Sequence, residues 1–210
     1  LFRSHAQEKN LPQARHLLLA VVNDKALSAM ARASALARLV GPWNAAEEQA
    51  VRAATRDSEG LVRAAAVDVL QPAPLPLRSA LLPPLLQDPL RTVRMAAARA
   101  LADVPARQWD ATTAIQQQAA LQDYVRGQQA NADRPEALNN LALLYATQGD
   151  LETARSALQQ ALATAPDFVA TRLNLADVLR AQRQEAQALQ VLEDGARAQS
   201  GSAAVWSGDR

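Results

Sequence analysis

The chain has 210 residues, no cysteine and a formal net charge of +1, with 49% hydrophobic and 3% aromatic residues. That length buries a real core, and the apolar content excludes a disordered chain. Balanced charge gives no electrostatic case for nucleic acid, the lack of cysteine excludes disulfides and thiolate chemistry, and no apolar run approaches the roughly 20 residues of a membrane-spanning helix. Alanine and leucine supply 48 and 31 positions, while only 7 are glycine. Strong helix formers with few β-branched or aromatic residues predict an all-α protein with thin, alanine-spaced packing.

In chain order, helical segments are predicted near 11–22, 44–56 and 75–87. Pro12, Pro42, Pro72, Pro74 and Pro76 precede or open them, where proline is tolerated. Pro83 and Pro84 fall inside the third segment and predict a kink or split. Each segment is followed by an alanine-rich helix, and these helices repeat. Asp57, Val62, Arg63 and Leu70 align with Asp88, Val93, Arg94 and Leu101 at a constant offset of 31. The same register reaches Arg32, Ala35 and Leu39 one unit earlier, with Ala26 where the aspartate belongs. The units read as helical hairpins, each with one apolar stripe that stacking buries.

This pattern resembles the short form of the HEAT family. The resemblance implies a ladder between neighbouring repeats built from Asp57, Arg63, Asp88 and Arg94. An arginine fork inside a helix stack needs an acceptor, or its burial is costly. The first unit is then either a terminal repeat, or Arg32 uses another acceptor such as a backbone carbonyl.

A boundary is expected near 103–112, where Pro105 breaks the preceding helix. It divides residues 1–108 from 109–210. Trp109 either plugs the junction or lies half-exposed on a connecting loop. Beyond it the period changes to 34. Leu138, Leu141, Ala142, Tyr145, Gly149, Ala154, Leu158, Ala161 and Pro166 resemble a tetratricopeptide repeat. A second, weaker copy follows at Leu175, Ala176, Leu179, Ala188 and Leu192. In that copy Arg172, Arg183 and Gly195 replace a large apolar residue, the turn glycine and the last small residue. Ala120, Tyr124 and Gly127 stand one period earlier, so 113–131 reads as the second helix of a half repeat. Trp206 lies 34 residues beyond Arg172, and SAAVWSGDR reads as the opening helix of a third repeat. The chain opens on Leu1 rather than methionine and reads as a fragment of a longer protein.

The resemblance implies a groove lined by the first helix of each repeat. The residues expected there are Asn139, Asn140, Leu143, Asn174, Asp177 and Arg180, the amides being suited to a peptide backbone. The competing reading is a plain solvated helix face. The lysine and arginine pair that clamps a peptide carboxylate in one subfamily is missing, and Arg180 alone does not restore it.

Signs of chemistry are few. His5 and His16 are the only imidazoles, and eleven residues separate them, which is not a metal-binding helical spacing. His16 reads as a solvated helix residue, and His5 as a polar residue able to ligate something outside this stretch. Glu47 and Glu48 are adjacent and point apart on a helix, as do Glu193 and Asp194. No phosphate loop, HExxH or nucleophile elbow occurs. Arg52, Arg56, Arg78, Arg91 and Arg99 form a basic strip that lacks interleaved aromatics and is broken by acidic residues.

The sequence therefore predicts a right-handed α-solenoid of stacked helical hairpins, a HEAT-like array continuing into a tetratricopeptide array. The expected function is a non-catalytic scaffold for a protein or peptide partner, without nucleic acid, membrane insertion, metal or cofactor in this stretch. The combination of repeats is also similar to the C-terminal region of bacterial periplasmic multihaem c-type cytochromes. That likeness implies a periplasmic electron-transfer protein whose haem sits upstream, with this part as its cysteine-free scaffold. An enzymatic alternative, likeness to the HEAT-like lyases that attach bilins, conflicts with the switch to a 34-residue period.

Overall fold

The computed structural model describes residues 12–207 and, within them, the side chains of 13–105 and 107–197. His5 and the Trp206 side chain lie outside the described residues. The described residues are all-α, with eleven α-helices and two short 3-10 segments and no strand. Contacts divide the chain into two compact units, Leu1–Leu121 and Gln122–Arg210.

The first unit contains α1 (Pro12–Asn23), α2 (Ala29–Leu36), α3 (Ala45–Ala54), α4 (Gly60–Leu70), α5 (Leu75–Leu81), a 3-10 turn (Pro83–Gln87) and α6 (Arg91–Ala100). A second 3-10 turn (Ala106–Gln108) precedes α7 (Ala111–Gln129), whose last residues belong to the second unit. The helix starts follow local chemistry. Ser28 caps α2 by accepting the Ala31 N–H at 3.3 Å. Asn44 and Glu47 form a reciprocal capping box on α3, each bond 3.0 Å long, and such caps contribute about 1 kcal/mol. The segment predicted at 75–87 is split as its prolines require. Pro83 and Pro84 cannot donate to the helix, so α5 stops at Leu81 and a 3-10 turn follows.

Helix α2 packs on α4, and α4 on α6, while α1 packs on both α2 and α3. The 31-residue register is the register of the core. Leu39, Leu70 and Leu101 are all fully buried, and Ala35, Ala66 and Ala97 are buried alongside. The alanines let the helix backbones approach, and the leucines fill the spaces between them. Trp109 packs half-buried against this core, with its indole N–H buried and unpartnered.

The second unit contains α8 (Pro135–Thr147), α9 (Leu151–Thr164), α10 (Val169–Ala181) and α11 (Glu185–Ser207), each packed on the next. Ala142, Ala154, Leu158, Leu175, Ala176, Leu179 and Ala188 form its core. Asp150 starts α9 by accepting the Thr153 N–H at 3.1 Å. Gly149 ends α8 with φ +84, a left-handed conformation that glycine adopts without a Cβ penalty.

Two expectations meet a different arrangement here. Among the described residues no separate helix opens near 201, because α11 runs without a break from Glu185 to Ser207. Pro166 stops the equivalent helix one period earlier, but Ser200 stands at the matching place and keeps its N–H. The half repeat at 113–131 is also incomplete in its packing. Ala120 is buried, but Gly127 is exposed and a Cβ there would meet nothing within 4 Å.

Arg183 occupies the turn position that Gly149 fills one period earlier, and it does so at φ 61. A left-handed arginine costs about 1 kcal/mol that glycine avoids. Arg183→Gly is therefore expected to stabilise the second unit by about 0.5–1 kcal/mol, read as a raised urea midpoint. A lower midpoint would show that the arginine side chain contributes more than its backbone strain costs.

Candidate functional site

Two sets of candidate side chains stand out, one in each unit. In the first unit the arginines and aspartates form rungs. Arg32 on α2 grips Asp57 through both terminal nitrogens, at 2.6 and 3.2 Å. Arg63 on α4 grips Asp88 through Nε and Nη2, at 2.5 and 2.9 Å. Each arginine thus reaches the aspartate 25 residues ahead, in the turn before the next alanine-rich helix. Ala26 deprives Arg32 of nothing, since its acceptor is Asp57. The same aspartates order their own turns: Asp57 accepts the Glu59 N–H at 3.0 Å and Asp88 the Leu90 N–H at 2.9 Å. Lys25 adds a second cation on Asp57.

The Arg63 Nη1 group also donates to the Asp57 and Ser58 carbonyls at 2.8 and 2.9 Å. Arg94 repeats this with the Asp88 and Pro89 carbonyls at 2.7 and 3.2 Å. Burial alone would raise the Asp57 carboxyl, but the bonds from Arg32, Lys25 and the Glu59 N–H hold it well below the usual carboxylate range. Asp88 follows the same logic: burial raises it, and the bonds from Arg63 and Leu90 N–H together lower it. Asp88→Ala is expected to cost about 1–3 kcal/mol, because half of the Arg63 fork loses its acceptor while its carbonyl bonds remain. An unchanged urea midpoint would show that this rung carries no stability.

The second unit presents a different surface. Helices α8 and α10 lie side by side, joined by polar bonds. The Asn139 carbonyl oxygen accepts from Asn174 Nδ2 at 2.9 Å and from the Thr171 hydroxyl at 3.3 Å. Leu143 and Leu173 stay exposed, at 45% and 51%. Asp177 and Arg180 are exposed and paired at 3.2 Å, and Arg180 also reaches Glu185 at 3.4 Å. Residues 145–208 match the tetratricopeptide repeat family. No curated protein and no solved structure matches the chain.

The tetratricopeptide match covers the last turn of α8 and all of α9 to α11. Of the expected groove residues, Asn174, Asp177 and Arg180 lie inside the matched stretch and Asn139, Asn140 and Leu143 just before it. Asn139 is 92% buried and serves as an interhelical link, so it is not free to hold a ligand. Thr171, fully buried, finds in Asn139 an acceptor for its hydroxyl. Asn140 is half-buried and donates to Gln128 Oε1 at 3.3 Å. Asn174 is half-buried beside Asn139, and Leu143, Asp177 and Arg180 are open. Leu173 was not singled out by motif, although adding 34 to Asn139 reaches it.

Two departures from the tetratricopeptide pattern compensate each other. Arg172 replaces a large apolar residue and bends to donate twice to the Pro166 carbonyl, at 3.1 and 2.8 Å. Its methylene stem passes Gly195 so closely that a Cβ there would lie 2.7 Å from Arg172 Cδ. Gly195 makes the room that the arginine needs.

The remaining candidates resolve into structural roles. Glu47 is buried and held by Arg15 at 2.7 Å, while Glu48 is open and pairs with Arg52 at 3.1 Å. The Arg15 bond is the main cause that lowers the Glu47 carboxyl, against burial. In the basic strip, Arg78 is tied to Asp103 at 2.6 Å and Arg99 to Gln71 at 3.2 Å. His16 is exposed. Among the described residues no group of three or more His, Cys, Asp or Glu can hold a metal ion, and no helix is long and apolar enough to cross a membrane.

Proposed function

We propose that the chain is a non-catalytic helical-repeat scaffold that mediates protein–protein or interdomain interaction. The supporting observation is the tetratricopeptide match over 145–208 together with an exposed α8–α10 face that carries Leu143, Leu173, Asp177 and the half-buried Asn174. Stacked helix pairs of this kind offer an extended surface, and repeats of this family generally serve protein–protein contacts. We read the first unit as a HEAT-like array on the strength of its Asp and Arg rungs at a 31-residue offset. A peptide library probed with the whole chain tests the scaffold reading. Peptides that bind are expected to be lost on Leu173→Asp, which disturbs an exposed site and not the core. A library whose binders are indifferent to both Leu173→Asp and Leu143→Asp would overturn the assignment of this face.

The likeness to multihaem periplasmic cytochromes rests on the order of the two repeat types alone. In that reading the chain scaffolds a haem-bearing region upstream. A visible absorption spectrum of the natively produced protein tests it: a Soret band supports it, and a colourless protein removes it.

A further inference from the structure

The rungs of the first unit do not balance. Ala26 stands where the first acceptor would be, and the first aspartate used, Asp57, serves Arg32. Asp88 serves Arg63. Among the described residues Arg94 hydrogen-bonds no aspartate side chain, and only its charge acts on Asp88. The next place in the register is Ala119, inside α7, which offers no acceptor side chain. The array therefore begins without a spare acceptor and ends with a spare donor.

Arg94 is nevertheless set up like Arg63. Its Nη1 is fixed by the Asp88 and Pro89 carbonyls, as that of Arg63 is fixed by Asp57 and Ser58. In Arg63 the other edge, Nε and Nη2, grips a carboxylate. In Arg94 that edge has no partner among the described residues, and neither nitrogen is sealed from solvent, unlike the buried Nε of Arg32. Much of the rotamer entropy an arginine loses on binding is already spent, because two carbonyls hold the guanidinium in place. A planar fork so held matches a carboxylate in two parallel bonds.

We propose that Arg94 is a docking point for an aspartate-bearing turn of a partner protein, which would complete the ladder as Asp57 and Asp88 do within the chain. The incoming turn is recognised by its carboxylate, which the held Arg94 fork matches. This contact lies outside the tetratricopeptide face and stands or falls independently of it.

The test uses the whole chain labelled with 15N and two peptides copying residues 85–90, one with the aspartate and one with asparagine in its place. The Arg94 Nε–H signal, identified by its loss in Arg94→Lys, is followed during titration. The aspartate peptide is expected to move it saturably, and the asparagine peptide to bind about tenfold more weakly, as loss of a charged hydrogen bond implies. Arg94→Lys is expected to bind neither peptide. No shift, an equal response to both peptides, or the same shift with acetate at equal concentration would each overturn the proposal. The peptide comparison is made on the unmodified chain, so it stands whether or not the lysine variant folds.

Discussion

Asp57→Ala is expected to destabilise the first unit by about 3–5 kcal/mol, the range for removing one partner of a buried ion pair. Arg32 is 4% exposed in its side chain and Asp57 1%. Without the carboxylate, the Arg32 guanidinium stays buried with its Nε already unpartnered. The Glu59 N–H loses its acceptor at the same time. Urea unfolding followed by far-UV circular dichroism measures the loss, and a cost below about 1 kcal/mol would show that the pair behaves as a surface contact. Replacing Arg32 and Asp57 together by methionine and leucine is expected to recover most of the loss, since no charge is then stranded.

Acid provides a second reading of the same bond. The folded carboxyls of Asp57 and Asp88 lie below their unfolded value of about 3.9. The unfolded chain therefore binds protons first as pH falls. Their contribution is complete above about pH 5 and is lost progressively from there downward. Asp57→Asn is expected to flatten the fall in stability between about pH 5 and pH 2, and an unchanged slope would remove Asp57 as its source.

Leu70→Ala is the other large effect, expected at about 2–5 kcal/mol. Leu70 is fully buried at the centre of the run Leu39, Leu70 and Leu101, with packed neighbours on both sides. Closing the cavity would require α4 to move against both α2 and α6, so relaxation is limited. Leu70→Met keeps most of the volume and is expected to cost less than about 1.5 kcal/mol. Equal losses for the two variants would mean that shape, not volume, governs this layer.

Much of this was legible in the sequence. The leucines at a 31-residue offset mark the buried layer because one position per unit faces every neighbour. Pro83 and Pro84 mark a split because a missing N–H acts wherever it falls. A ladder between neighbouring repeats was also legible in the acidic and basic residues, but its direction and the acceptor of Arg32 were not: Arg63 reaches forward to Asp88 and touches only the carbonyl of Asp57, whose carboxylate takes Arg32. That choice depends on how neighbouring turns stack, which no spacing rule contains. The surroundings of Asn139 were hidden for a similar reason: its place on the helix suggests a groove, and no spacing rule shows that its side-chain oxygen accepts from Asn174 and Thr171 on another helix. In the sequence Arg172 and Gly195 are two separate departures from the pattern, because the logic that joins them is steric and links residues on different helices.

The forward reach of each rung bears on how such an array changes length. A segment of 31 residues copied in register brings one aspartate and one arginine with it. The copied aspartate receives the arginine before it, and the copied arginine finds the aspartate after it. Duplication or deletion of a whole unit by unequal recombination thus strands no charge in the interior. Selection can lengthen or shorten the array freely, and only its last arginine must find a partner anew.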